Sequence, residues 1–292
     1  MRVLVTGGTG FLGRSVIRFL AKEGAETVCV TRKKDLNHHS DNITYVTGSL
    51  EDKESVERYF EGVDVCIHLA AETKSTNKRI NYSSNVTATE NVVELCKKNG
   101  VKKIIFTSSV NARLERPGPY GKTKLLAENI VKDSGLSYII LVPDLIYGKG
   151  DRGLTKTVDM IKKLPLIPVI GTGNSIIQPV YVEDAATAIA NAAKSGIHNK
   201  TYYIGGPEQI TFNDYVDMIM EKLNITKAKI HLPYALFYYM ARLFSVTDKF
   251  PISIDQYNSI AKGRGGDISD AVKDLNFRPI SFLDGLDMLL VE

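Results

Sequence analysis

Apolar residues along the first half of the chain follow two alternating periods. "RVLVT" (2–6), "TVCVT" (27–31), "ITYVTG" (43–48), "VDVCIHLAA" (63–71), "KKIIFTSS" (102–109) and "SYIILVP" (137–143) are short apolar runs rich in β-branched residues, and each reads as a strand. Between them apolar positions recur at helical spacing. "FLGRSVIRFLAKEG" (11–24) carries Phe11, Leu12, Val16, Ile17, Phe19 and Leu20 on one stripe and stops at Gly24. Further helices are predicted over 52–62, opened by Asp52 and closed by Gly62, over about 82–99, and over about 119–134. Strands apolar on both faces, alternating with helices, predict an α/β fold with a doubly wound parallel sheet covered on both sides. In such sheets ligands bind at the carboxyl ends of the strands, so the residues ending each strand carry the interest.

Beyond residue 150 the pattern loosens. "GTGNSIIQPVYVEDAATAIANAAKSG" predicts a loop, a strand and a helix, "TYYIGG" a strand, and "TFNDYVDMIMEKLN" a helix. The last part of the chain reads as mostly helical. Residues 1–150 are therefore expected to form the main domain and 151–292 a smaller, mostly helical region that holds the substrate. With no low-complexity linker between them, the two are expected to interleave.

Composition narrows the function classes. The 292 residues are 43% hydrophobic and 24% charged, ordinary for a globular protein with a sizeable core. A net charge of +4, spread along the chain, is too weak and diffuse to argue for nucleic acid. Cys29, Cys66 and Cys96 match no metal spacing and are expected to be reduced, buried thiols. No run is long and apolar enough for a membrane span, and "ALFYYMARLF" (235–244) is short and interrupted by Arg242. The opening "MRVLVTGG" is a strand and a turn, not a secretory signal, so a cytoplasmic protein is expected.

The turn after the first strand carries the first chemical signal. "TGGTGFLG" (6–13) contains Gly8-x-Gly10-x-x-Gly13 and equally Gly7-x-x-Gly10-x-x-Gly13, between a strand and a helix. Glycine permits the tight turn and the close approach of backbone to a pyrophosphate, and the helix N-terminus offers free N–H groups to it. This context predicts a Rossmann-type dinucleotide site. The second strand ends in Thr31, followed by Arg32 and Lys33. A carboxylate that would take the ribose hydroxyls of NAD is absent there, and two cations suit a 2′-phosphate instead. NADP is therefore favoured, with NAD possible.

"YGKTK" (120–124) places Tyr120 and Lys124 one helical turn apart, on one face, eleven residues after the strand end Thr107-Ser108-Ser109. This set resembles the Ser, Tyr-x-x-x-Lys active site of the short-chain dehydrogenase/reductase superfamily. "TGGTGFLG", "HLAA" (68–71), Asn85 with "VTATENV", "VPDLIYGKGD" (142–151) and "QPVYVEDAA" (178–186) resemble motifs of its extended branch, the NAD-dependent epimerase/dehydratase family. The resemblance implies that Tyr120 exchanges a proton with the substrate oxygen and that Ser109 bonds that oxygen, with Ser108 as the alternative. It implies that Lys124 lowers the tyrosine pKa, ordinarily about 10, and bonds the nicotinamide ribose. It also implies cofactor contacts from Gly7, Thr9, Gly10, Phe11, Leu12, Gly13, Arg32, Lys33, Leu50, Leu69, Ala70, Ala71, Thr107, Pro143 and Ile146, and a homodimer through the helices near 82–99 and 119–134.

The chain departs from the family pattern where substrate is read. Gly48-Ser49-Leu50 replaces a Gly-Asp-Leu, and Val142-Pro143 replaces an Arg-Pro. Ile177-Gln178 stands where many nucleotide-sugar members place an arginine for the diphosphate, leaving Arg264 as the candidate for that role. Three functions follow from the resemblance. The leading one is epimerisation or keto reduction of a nucleotide-sugar. The others are NADPH-dependent reduction of a small or lipophilic carbonyl, and a cofactor-bound subunit without chemistry. A dehydratase is the least expected, because "SSVNARLE" and "PYGKTK" lack an acidic pair beside the active-site serine or threonine.

Overall fold

Val3 and Val5 face one side of the first strand and Leu4 the other, and all three are fully buried. The same two-sided burial recurs along the central strands, so the sheet has a hydrophobic layer on each face. The computed structural model describes residues 1–33, 39–40, 42–73, 75, 77–236 and 265–290. Strands of the first half are β1 (Arg2–Thr6), β2 (Glu26–Thr31), β3 (His39–Ser40), β4 (Ile43–Thr47), β5 (Val65–His68), β6 (Lys103–Thr107) and β7 (Ser137–Pro143). Those that follow are β8 (Ile146–Tyr147), β9 (Ile167–Ile170), β10 (Ile176–Ile177), β11 (Val180–Tyr181), β12 (Lys200–Ile204), β13 (Ile210–Thr211) and β14 (Lys229–Leu232). The main sheet runs β12-β7-β6-β5-β1-β2-β4-β3, parallel throughout except for the two-residue edge strand β3.

Among the described residues, helices are α1 (Phe11–Lys22), α2 (Lys78–Tyr82), α3 (Ala88–Lys98), α4 (Pro119–Lys132), α5 (Arg152–Lys163), α6 (Val182–Lys194), α7 (Phe212–Lys222), α8 (Ser269–Leu275) and α9 (Phe282–Leu290). α1 and α6 cover one face of the sheet, α3 and α4 the other. The chain moves outward from β1 through β2 to β4, then returns to β5 on the other side of β1. This reversal opens a crevice at the carboxyl ends of β1 and β5, where Thr6 and His68 are in register. Residues 182–204 come back to the main sheet as α6 and β12, and β12 pairs with β7. A third cluster, around Tyr147, Ile161, Tyr215, Ile219, Phe282 and Leu286, forms a separate core for the later part of the chain.

Two predicted helices differ. Residues 52–62 form two 3-10 turns, Lys53–Ser55 and Glu57–Phe60. Val56 and Phe60 are fully buried and pin the segment to the sheet. The Ser55 hydroxyl donates to Asp52 O at 2.7 Å and accepts from Ser49 N–H at 3.1 Å, bonds that compete with an α-helical turn. The stretch 82–99 is broken: α2 begins earlier, and a π turn at Ser83–Thr87 separates it from α3. The described part of the last 65 residues holds a strand, β14, and two helices, and residues 237–244 of "ALFYYMARLF" lie outside the described residues. Among the described residues no helix is long and apolar enough to cross a membrane. All three cysteines are buried free thiols.

Candidate active site

The glycine turn joins β1 to α1 at the crevice. Gly7 has φ +73°, and a Cβ there would lie 2.7 Å from the backbone nitrogen of Ala70. A Cβ on Gly13 would lie 2.2 Å from the carbonyl oxygen of Gly7. Both positions thus require glycine, one for conformation and one for close packing of helix on turn. Gly10 is the N-cap of α1 and offers no side-chain cap, and no acidic residue occupies the first turn. The first N–H groups of α1 are left for an anionic ligand. Thr9, Phe11 and Leu12 line this turn and are half-buried. Opposite it, Leu69, Ala70 and Ala71 continue from β5, with Ala70 N–H donating to Thr6 Oγ1 at 3.3 Å.

At the end of β2, Thr31 is buried while Arg32 and Lys33 are exposed. Lys33 N–H donates to Thr31 Oγ1 at 3.1 Å, which fixes the backbone and leaves both cationic side chains outward. Leu50 is half-buried beyond β4, and its carbonyl accepts from Asn91 Nδ2 at 2.8 Å. Pro143 ends β7 and is buried, and Ile146 in β8 is half-buried against the core. Thr107, at the end of β6, has a buried hydroxyl oxygen with no protein partner. An orphaned polar atom at the ligand edge and a glycine cradle that any Cβ would fill are what a bound dinucleotide requires.

α4 opens with Pro119 at its first turn, where a missing N–H costs nothing. Tyr120 is half-buried in that turn, and Lys124 one turn on is 2% exposed. The Lys124 ammonium sits 4.1 Å from the centroid of the Phe106 ring. Burial lowers its pKa to about 7, against the opposing pull of Glu128. The serine doublet divides. Ser108 Oγ donates to Glu128 Oε2 at 2.7 Å. Ser109 Oγ accepts from Asn111 N–H at 3.2 Å, so its own proton is available to a ligand. Ser109, Tyr120 and Lys124 all stand at the carboxyl end of β6 and the start of α4.

Two networks hold this arrangement; motif resemblance marked Asn85 and His68 of the first, but not the bonds they make. Asn85, in the π turn, accepts from Glu72 N–H at 2.7 Å and donates to Thr123 Oγ1 at 2.9 Å. Thr123 Oγ1 in turn donates to Tyr120 O at 2.9 Å. Thr89 Oγ1 donates to Asn85 O at 2.7 Å, so His68 Nε2–H donates to Thr89 at 3.0 Å and Nδ1 accepts from Thr6 Oγ1 at 2.6 Å. Burial lowers the His68 pKa to about 3, and the neutral ring is the form this chain of bonds demands. The second network centres on Glu128. It continues the four-residue spacing of Tyr120 and Lys124, the one signal by which the sequence marks it.

Ile177 and Gln178, which stand where a diphosphate arginine is expected, are both built into the protein interior. Gln178 is buried, donates from Nε2 to Gly206 O at 2.8 Å and accepts from Gly266 N–H at 3.0 Å. Ile177 is buried in the third core. Arg264, the other candidate, lies outside the described residues.

Comparison with known proteins agrees with this architecture. The chain is 27% identical over 247 residues to the 2-alkyl-3-oxoalkanoate reductase of Stenotrophomonas maltophilia (strain K279a), covering 75% of each chain. It is 25% identical over 286 residues to NADH dehydrogenase [ubiquinone] 1 alpha subcomplex subunit 9 of Dictyostelium discoideum, covering 93% of this chain and 79% of that one. The crystal structure of UDP-glucose 4-epimerase from Thermotoga maritima, with UDP-glucose, superimposes with a TM-score of 0.78 at 24% identity, over 99% of this chain and 97% of that one. That likeness shows the shared Rossmann-type fold. The profile of the NAD dependent epimerase/dehydratase family matches residues 3–205, so the chain belongs to that family.

Proposed function

We propose that the chain transfers a hydride between a nicotinamide coenzyme and the carbon of a carbonyl or secondary alcohol, with Tyr120 moving the proton. The observation that carries this reading is Lys124: a buried cation beside Phe106, one turn behind Tyr120, at the sheet edge shared with the glycine turn. The coenzyme would be held by the turn Gly7–Gly13, by Leu69, Ala70 and Ala71, by Thr107 and by Lys124. When bound, it supplies or accepts the hydride. In the reducing direction, Ser109 donates a hydrogen bond to the carbonyl oxygen and Tyr120 passes its phenolic proton to it. The positive charge of Lys124 stabilises the phenolate left behind. The reverse sequence serves oxidation of the alcohol.

For the substrate we propose a small or lipophilic carbonyl compound or its alcohol, without a diphosphate. Gln178, engaged on both sides by backbone, supports this, because an uncharged side chain stands at the sequence position where the diphosphate arginine is expected. The bacterial relative, a 2-alkyl-3-oxoalkanoate reductase, acts on a compound of this chemical class. A nucleotide-sugar is the second reading, and the likeness to UDP-glucose 4-epimerase across both regions of the chain favours it. On the coenzyme, the exposed cations Arg32 and Lys33 support NADP, while the family is NAD-dependent.

The deciding experiment is to denature the purified protein and identify any released nucleotide by mass spectrometry. Retained coenzyme favours a closed redox cycle, as an epimerase needs. An empty site that binds added NADPH favours a reductase, and failure to bind either coenzyme overturns the reading. Tyr120→Phe is expected to keep coenzyme binding and to lose activity about a hundredfold or more. A Tyr120→Phe variant that still bound coenzyme and retained every activity would overturn the catalytic assignment of Tyr120.

A further inference from the structure

Glu128 is a carboxylate in the hydrophobic interior, with its side chain 1% exposed. Burying such a charge is costly, and an apolar side chain of similar size would serve stability as well. Its partners show what it does instead. Oε2 accepts from Ser108 Oγ at 2.7 Å. Oε1 accepts from Arg113 Nη2 at 2.7 Å and from Lys132 Nζ at 2.8 Å. Ser108 directly precedes Ser109, and Arg113 ends the 3-10 turn Val110–Arg113 that directly follows it. One carboxylate therefore grips the chain on both sides of Ser109.

We propose, resting on the catalytic reading above, that Glu128 is a positioning residue: its carboxylate clamps both flanks of Ser109 to α4 and keeps a negative charge one turn behind Lys124. The 3-10 turn lies tightly against the start of α4, since a Cβ on Gly121 would sit 2.4 Å from Asn111 O. With Ser108 drawn to Glu128, Ser109 is the member of the doublet left for substrate. Among the described residues, the charged and titratable groups around the Lys124 ammonium are few. From β5 it meets His68, held neutral by burial; from β6, the Phe106 ring; from α4, Glu128, with Tyr120 one turn earlier on the same helix. Glu128 is the one anion that opposes the burial of the lysine in this set.

The test uses the coenzyme-free protein and needs no substrate. Lysine side chains are labelled with carbon-13 at Cε, and the Lys124 resonance, assigned through Lys124→Arg, is followed against pH. In Glu128→Gln the Lys124 midpoint is expected to fall by about one pH unit. Backbone amides of residues 109–113 are expected to exchange about tenfold faster, while those of α1 hold. An unchanged midpoint with unchanged exchange in a folded Glu128→Gln protein overturns the proposal. Should that variant not fold, Arg113→Met leaves the carboxylate in place. It is expected to speed exchange over 109–113 without lowering the Lys124 midpoint, and unaltered exchange there overturns the clamp. Tyr120→Phe leaves both readouts near wild type. A failed catalytic reading would thus appear in activity alone, and a failed clamp in these two measurements alone.

Discussion

Lys124 loses its proton near pH 7 in the folded protein because burial penalises the ammonium, whereas an unfolded lysine holds it to about 10.4. Below pH 7 both states carry the charge and the burial penalty is present in full. Between about pH 7 and 10.4 the unfolded chain binds the extra proton, so this group's contribution to stability rises with pH. In urea unfolding of the coenzyme-free protein, Lys124→Met is therefore expected to stabilise at pH 6, with an advantage about 2 kcal/mol smaller at pH 9. Equal advantages at the two pH values would contradict the assignment. Gly7 makes a second case at this scale. Alanine there meets both a positive φ and the backbone of Ala70 at 2.7 Å. Gly7→Ala is expected to abolish coenzyme binding by calorimetry and to cost about 1–3 kcal/mol of stability.

Between residues and fold stand the elements, and the π turn at Ser83–Thr87 is the informative one. It turns Asn85 inward, where its carboxamide joins the Glu72 backbone to Thr123 and so to the first turn of α4. Asn85→Ala leaves the Glu72 N–H and the Thr123 hydroxyl without these bonds. A loss of about 2 kcal/mol or more in urea unfolding is expected, and a loss under half that size would show that the turn holds without Asn85. The 3-10 turns that replace the predicted 52–62 helix teach a related lesson. Val56 and Phe60 are buried there, and side-chain bonds from Ser55 favour the tighter geometry over the predicted α-helix.

At the scale of the whole molecule, α6 returning to pack beside α1 ties the two parts of the chain together. Ser15 Oγ donates to Glu183 Oε1 at 2.9 Å, and Arg18 pairs with the same oxygen at 2.6 Å. The outer face leaves Ile80, Tyr82, Leu125 and Leu126 exposed on α2 and α4. We expect a homodimer that uses α3 and α4, with Leu126→Glu shifting its mass toward the monomer in light scattering. A monomer mass for the unaltered protein would end that expectation.

Much of this was legible in local pattern. Short continuous apolar runs such as "RVLVT" and "KKIIFTSS" and the stripe in "FLGRSVIRFLAKEG" determine strand and helix by themselves, because burial on two faces or one is a local demand on residue type. The glycine turn and the spacing of Tyr120 and Lys124 were readable for the same reason: each follows from backbone geometry within one or two turns. What the tertiary structure decided involves partners far apart in the chain. Ser108 and Ser109 are equivalent neighbours in sequence until Glu128, 20 residues on, takes one of them. His68 becomes neutral only between Thr6 and Thr89, 62 and 21 residues away. Gln178 could be noted as a missing arginine, but only the fold shows its bonds to Gly206 and Gly266. Charge state and hydrogen-bond choice depend on desolvation and on distant partners, and neither exists until the chain has folded.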